Sequence, residues 1–219
     1  MSDKTAVIEK ICTAFEGNGY PGDGYLQGSF EGCEAYEEVS PFQGQMKWQG
    51  IDAAFLDGHA TALSFFSEAG FRFFLPAYLI ADLRGQLNTA DPVFHLTHGF
   101  SDITVQVSTK SRVFVLSNRK STFLNPRRYG AATFYDYAHY RLSVFTREEA
   151  SAIVAYLTFR RDADLDGVDT ARIEAALRLF WLERAQTAPV AESLKQHLAE
   201  QEAYLAAMDA EGKKRNGEL

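Results

Sequence analysis

The sequence predicts an α+β protein, mainly helical, with a small antiparallel β-hairpin or three-stranded sheet inserted around residues 101–145. Apolar residues recur every three or four positions on both sides of that region, and they alternate with polar residues inside it. The 219 residues are 46% hydrophobic and 23% charged, which is typical of a globular chain. We expect one domain over residues 1–211 and a polar, disordered tail over residues 212–219.

The first helix follows a capping residue at the N-terminus. Ser2 or Asp3 can cap it, and Val7, Ile11 and Phe15 repeat at helical spacing. The glycine-rich stretch over residues 17–32 is predicted to be a loop. It lacks the GK[ST] sequence of a phosphate-binding loop.

A strongly apolar helix is predicted after Ser67, which is a suitable N-cap. Its apolar residues cover more than one stripe, so we expect this helix to be buried at the centre of the fold. Pro76 lies inside it and predicts a bend near Leu75. Asp91 followed by Pro92 predicts another, shorter helix that ends near Gly99.

The alternating pattern then predicts strands. Ile103, Val105 and Val107 lie on one side of a polar turn, and Val113 and Val115 lie on the other. A third strand is predicted through the segment TFYDYAHYRLSVF, with one face formed by Tyr140, Leu142 and Val144.

Helices return at Thr146, which forms a predicted capping box with Glu149. A second helix carries Ile173 and Trp181, and Pro189 opens a last one. The last helix has a seam only two heptads long, so we favour packing on its own domain over a dimeric coiled coil. The seam consists of Leu194, Leu198, Gln201, Leu205 and Met208.

The net charge of −7 is unevenly distributed, with an acidic N-terminal half and a basic middle. No acidic residue lies between Asp102 and Asp136. This basic segment could bind an anionic partner such as nucleic acid, or it could pair with the acidic half of the same chain. We favour internal pairing because the isoelectric point is about 5.3, which is low for a nucleic-acid-binding protein. The cations are Lys110, Arg112, Arg119, Lys120, Arg127 and Arg128.

A cytoplasmic location is expected, because two cysteines are too few for a disulfide framework and the N-terminus does not resemble a signal peptide. No apolar run approaches the roughly 20 residues that a membrane span needs, so a membrane partner is excluded.

The segment DADLDG gives the sharpest local signal for a metal. Asp162, Asp164 and Asp166 alternate before Gly167, as in the first half of an EF-hand calcium loop. Ile173 stands where that loop needs its bidentate glutamate, so the second half does not match. We therefore favour a solvated connection in which Asp169 or Thr170 caps the next helix. Calcium is kept as the alternative.

His95 and His98 are three residues apart, which places both on one face of a short predicted helix, and Asp91 lies one turn before His95. This arrangement is compatible with a transition-metal site. A closed zinc site would need two further ligands, such as His139 or Cys33, and nothing in the sequence brings them together. Ordinary surface histidines on a helix are the favoured interpretation. No nucleophile motif or distinguishable acid–base pair is present, so no catalytic residue is predicted.

About half of the chain resembles a widespread family of uncharacterised bacterial cytoplasmic proteins. The resemblance depends on FFLPAYL at Phe73–Leu79, the preceding ALSFFSEAGFRF, Trp48, and the helix after Thr146. These apolar, helical motifs imply a shared fold, and the family supplies no established activity.

The favoured function is that of a non-enzymatic binding protein, for example an immunity or antitoxin-like protein whose acidic surface blocks a basic protein partner. No cofactor is expected under that function. A metal-dependent enzyme or calcium-responsive module using the DADLDG segment is the first alternative, and a nucleic-acid binder using the basic segment is the second. The oligomeric state is left open. The candidate partner-binding residues are Glu31, Glu34, Glu37 and Glu38.

Overall fold

A computed structural model describes residues 3–29, 32–100 and 134–188. It also describes the backbone of residues 104–108 and 113–117, and short helical pieces between residues 196 and 210. The six cations of the basic segment lie outside the described residues, and so do the last predicted seam, the tail and Glu31. The predictions made for them stay predictions.

The structure is mainly helical, with 68% of it in helices. A π-helical turn, Leu177–Trp181, joins the helices Thr170–Ala176 and Leu182–Thr187. Two 3₁₀ turns, Asp23–Tyr25 and Ser40–Phe42, lie on either side of the helix Glu34–Val39. The helices are α1 (Lys4–Phe15), α2 (Glu34–Val39), α3 (Ala53–Gly58), α4 (Ala62–Phe65), α5 (Glu68–Leu83), α6 (Pro92–Thr97), α7 (Phe134–Leu142), α8 (Arg147–Ala163), α9 (Thr170–Ala176) and α10 (Leu182–Thr187).

The predicted α+β fold class is wrong. The segment expected to form a third strand is helix α7, whose buried residues Ala138, Arg141 and Leu142 have helical spacing. Extended backbone occurs in β1 (Thr104–Ser108) and β2 (Val113–Ser117), which run antiparallel. The core of the described residues is formed by the helices and the segments that connect them, and the structure is mainly helical.

Local signals correctly located the starts of four helices. The side chains of Asp3, Ser67 and Asp91 each accept a hydrogen bond from a backbone N–H in the first turn of the helix that follows. Thr146 and Glu149 form the predicted capping box at the start of α8. Caps are local interactions, so the sequence is sufficient to locate them.

Helix α5 lies at the centre of the core. Almost all of its side chains are buried, including Pro76 within its continuous span, and Leu79 is fully buried. Helix α1 packs against α5 and α8, and α8 packs in turn against α9 and α10. The prediction of a central apolar helix is therefore confirmed.

Charged side chains join α5 to α8 at two places. Arg72 donates from Nε to both carboxylate oxygens of Glu149 at 3.1 and 2.9 Å, and Glu149 is only 1% exposed. Farther along, Asp82 accepts from the hydroxyl of Tyr156 at 2.6 Å and from Arg160 at 3.2 Å. These contacts satisfy charges that would otherwise be costly to bury.

No helix among the described residues combines the length and the apolar character needed to cross a bilayer.

Candidate functional site

Helix α2 carries three of the four glutamates predicted to bind a partner. Its apolar face is buried through Ala35 and Val39. Glu34, Tyr36 and Glu37 point away from that face and are exposed, with Tyr36 at 58%. We call these three residues the α2 surface.

The carboxylates of α2 have no cationic partner among the described residues. Glu34, Glu37 and Glu38 form none of the ion pairs of this part of the chain, whereas Asp82, Asp91 and Glu149 each bind an arginine. Glu38 is half-buried, and its Oε2 accepts no hydrogen bond from the described residues. The described residues therefore leave the negative charge of the α2 surface unneutralised.

The predicted calcium segment connects α8 to α9, and its aspartates have separate roles. Asp162 lies in the last turn of α8 and pairs with Arg161 at 2.8 Å. Asp166 is exposed, and so are the apolar side chains Leu165 and Val168, at 96% and 79%. No group of three or more His, Cys, Asp or Glu side chains in the described part of the chain is arranged to hold a metal ion.

Asp164 holds the start of α9. Its Oδ2 accepts from the backbone N–H groups of Asp169 and Thr170, both at 2.8 Å, and from the Thr170 hydroxyl at 2.9 Å. Partial desolvation tends to raise the pKa of Asp164, but these hydrogen bonds outweigh it and lower the pKa below its usual value. Asp169 makes no capping bond and pairs with Arg172, so the cap is a residue that the sequence did not single out for this role.

A pocket of about 260 Å³ lies between α6 and α7, with Ser64 of α4 at its edge. His95 and His98 enter it from the α6 side, and Tyr137 and Arg141 enter it from α7. Apolar walls complete it, with Phe94 stacked on the His98 ring at 4.7 Å between centroids. The remaining wall residues are Ala138 and Leu142.

The close approach of α6 to α7 depends on Gly99. Its φ angle of +93° belongs to the left-handed region, which glycine adopts without strain. A Cβ atom at this position would lie 2.6 Å from the carbonyl oxygen of Phe134, the first residue of α7. Only glycine therefore lets the chain after His98 pass so close to α7.

Arg141 is the charged group of this pocket and is only 8% exposed. Its Nη2 donates to the carbonyl of Leu63, its Nη1 donates to the Tyr137 hydroxyl at 3.3 Å, and its Cζ lies 4.5 Å from the centre of the Phe71 ring. Its Nε has no acceptor, and no carboxylate pairs with the guanidinium in the described residues.

Both histidines of the pocket are uncharged at neutral pH. Burial, followed by the positive charge of Arg141, lowers the pKa of His95 from 6.5 to about 3. Burial likewise lowers the pKa of His98 below 6.5. His139 and Cys33 are exposed on α7 and at the start of α2, and they do not join the two histidines.

The sequence analysis identified only some of the residues that line the pocket. The spacing of His95 and His98 was noted, but Arg141 lay in a segment predicted to be a strand, where the alternation assigned no role to it. A helical interpretation of residues 134–142 would have placed Tyr137 and Arg141 on one face, because they are four residues apart.

Comparison with known proteins finds one family. The model described as "Family of unknown function (DUF6714)" matches residues 3–185. No curated protein and no solved structure matches the chain.

Proposed function

Because the chain belongs to the family of unknown function DUF6714, which supplies no activity, we propose from the site geometry that it is a non-enzymatic binding protein whose α2 surface engages a basic region of another protein. The surface that we assign to this role consists of Glu34, Tyr36 and Glu37.

The observation that carries the proposal is the exposure of Tyr36 between two carboxylates that form no ion pair within the described part of the chain. Tyrosine is enriched in protein interfaces and among the residues that dominate their binding energy, since it buries a large ring and keeps a polar hydroxyl. An isolated exposed aromatic is unremarkable on a monomer, but here the flanking charges are also left unneutralised by the rest of the described fold.

The glutamates and the tyrosine of the α2 surface would contribute to different steps of binding. Glu34 and Glu37 attract a cationic surface and accelerate its encounter with α2, an effect that salt weakens. Tyr36 becomes buried only after docking and slows dissociation. The partner therefore needs lysine or arginine side chains around an apolar recess large enough for a phenol ring.

An immunity or antitoxin-like role is the form of this function that we favour. In that role the acidic surface would cover cations that the partner needs for its own activity. Complementary charge across such an interface gives fast and selective association, which suits an inhibitor that must act before its target does.

Affinity capture with matched variants tests the proposal. The wild-type chain and a Tyr36→Ala/Glu34→Gln/Glu37→Gln variant serve as baits for extract of the source organism. A control variant, Leu182→Ala/Glu9→Gln/Glu174→Gln, removes the same number of charges and one exposed apolar side chain on other helices. A candidate partner must be depleted with the α2 variant and retained with the control.

The captured protein is then purified, and its dissociation constant is measured at several salt concentrations. We expect the α2 variant to bind at least about tenfold more weakly than wild type, and to lose much of the salt dependence. Equal binding of all three baits, or a partner without a basic surface, would refute the assignment to α2. Absence of any specific partner would refute the binding function itself.

A further inference from the structure

The pocket between α6 and α7 contains a buried cation that the described protein residues do not neutralise. Buried arginines are normally paired with a carboxylate, because desolvating an unpaired charge is expensive. Arg141 is 8% exposed, and its protein contacts are a carbonyl, a hydroxyl and an aromatic ring. A guanidinium has five N–H donors, so this one keeps donors available for a further acceptor.

The other ionisable groups of the pocket leave that positive charge intact. The two histidines add no charge at neutral pH, because the pKa of each is lowered. Asp91 lies near enough to affect His95, but its carboxylate is paired with Arg172 at 3.0 Å. The pocket therefore carries about one positive charge, which a single negative charge would balance.

The shape of the pocket adds a second requirement. Phe94, Ala138 and Leu142 supply apolar walls, whereas Ser64, Tyr137 and the two imidazoles supply polar groups. Its volume of about 260 Å³ is below the usual range of pockets for drug-sized ligands, roughly 300–1,000 Å³. A ligand that fits must be small, with one anionic end and one apolar end.

We propose that this pocket binds a small monocarboxylate, with the carboxylate on Arg141 and the apolar body against Phe94 and Leu142. A guanidinium matches the planar carboxylate group and can bind it with two parallel hydrogen bonds. Neutral imidazoles can each donate one hydrogen bond and accept another, so they add selectivity without adding charge. The site is separate from the α2 surface, and neither proposal depends on the other.

A phosphate dianion fits less well, because it would place two negative charges against one arginine. The same reasoning excludes a strong response to a neutral amide of the same shape, which lacks the charge that Arg141 needs. These two ligand classes therefore serve as discriminating probes.

The test measures binding of sodium benzoate and sodium hexanoate by isothermal titration and thermal shift, with benzamide and inorganic phosphate at matched ionic strength. Ring resonances of His95 and His98 in NMR spectra locate the site. We expect at least one carboxylate to bind saturably, to perturb both histidines, and to bind at least about tenfold more tightly than benzamide or phosphate.

Two variants check the residues. Arg141→Lys keeps the positive charge but removes the planar guanidinium group, so we expect it to weaken carboxylate binding at least about tenfold. The matched control is Arg178→Lys at an exposed position, which should bind carboxylates like wild type. Phe94→Ala changes a side chain that is 40% exposed, so it should remain folded even where the arginine variant does not. We expect it to weaken binding several-fold.

The possible contrary results are distinct. No response to either carboxylate, equal affinity for benzamide, or tighter binding of phosphate would each overturn the proposal. Unchanged binding in Phe94→Ala, or binding that leaves the two histidine resonances unmoved, would place the ligand elsewhere and overturn it as well. Failure of the α2 variants in affinity capture would have no bearing on these measurements.

Discussion

Helices α5 and α2 use their charged side chains in opposite ways. In α5, Arg72 and Asp82 lie among mostly apolar residues, and each is bound by side chains of α8. In α2, Glu34 and Glu37 remain exposed and unpaired within the described fold. The charges of α5 hold the domain together, whereas those of α2 make no visible contribution to it.

The contrast shows that charged residues of one protein can have two different roles, which amino-acid composition does not distinguish. A charged residue in a buried helix is retained because a partner in the fold satisfies it, and removing that partner destabilises the protein. A charged residue that has no partner is free to serve solubility or recognition. The following variants test which charged and buried residues stabilise the fold, beginning with the largest expected effect.

Glu149→Ala should cause the largest loss of stability. It leaves Arg72 without its carboxylate, and it also breaks the capping box with Thr146. We expect a loss of about 3–5 kcal/mol in the free energy of unfolding, measured in urea. Glu148→Ala, an exposed neighbour in the same helical turn, is the control and should change it by less than about 0.5 kcal/mol. Equal losses in both variants would contradict the structural role of the ion pair.

Leu79→Ala tests the apolar half of α5. The side chain is fully buried, and its truncation should cost about 2–5 kcal/mol through lost burial and a residual cavity. Leu182→Ala is the matched control because Leu182 is 47% exposed. A loss below about 0.5 kcal/mol for Leu79→Ala in the same urea titrations would refute central burial of α5.

His95 extends the comparison to a buried ionisable group without an ion pair. Its folded pKa of about 3 lies below the unfolded value near 6.5. The stability it contributes is therefore complete above pH 6.5 and is lost as the pH falls toward 3, at up to about 1.4 kcal/mol per pH unit. His95→Gln should lack this part of the acid destabilisation, and the exposed His139→Gln should retain it. Identical pH profiles for all three proteins would contradict the lowered pKa.

Asp164 tests the connection between α8 and α9, where backbone N–H groups and a hydroxyl, rather than a cation, bind a carboxylate. Asp164→Ala removes the acceptor for the first N–H groups of α9 and should lower the melting temperature, less than Leu79→Ala does. Asp166→Ala, at an exposed position, should leave it unchanged. Millimolar calcium should shift neither the wild type nor the variants. A rise of several degrees with calcium, absent in Asp164→Ala, would instead support the calcium site.

The smallest effect is expected on α2. Glu34→Gln/Glu37→Gln should change the free energy of unfolding by less than about 0.5 kcal/mol, because these carboxylates have no partner in the described fold. A loss above about 1 kcal/mol would show that the carboxylates of α2 stabilise the fold, as the charged residues of α5 do, and would contradict their assignment to partner binding.

The wrong prediction of a sheet has a physical cause. Aromatic and β-branched residues are frequent in TFYDYAHYRLSVF, and Tyr140, Leu142 and Val144 alternate as a strand would. The same segment has Ala138, Arg141 and Leu142 at helical spacing, and packing selects that face in the structure. Where two periods fit one short segment, intrinsic preference is too weak to choose between them.

Interactions within a few residues were therefore readable from the chain alone, including the capping box at Thr146 and the apolar surface that commits α5 to the core. Contacts between distant residues were not: Glu149 meets Arg72 across 77 positions, and Arg141 reaches the carbonyl of Leu63 across 78. Caps and periodicity depend on the geometry of a single turn, whereas the neighbours of a buried charge depend on how whole helices pack. The sequence could thus propose an acidic binding surface, but only the packing of α6 against α7 could create a pocket around an arginine that has no carboxylate partner among the described residues.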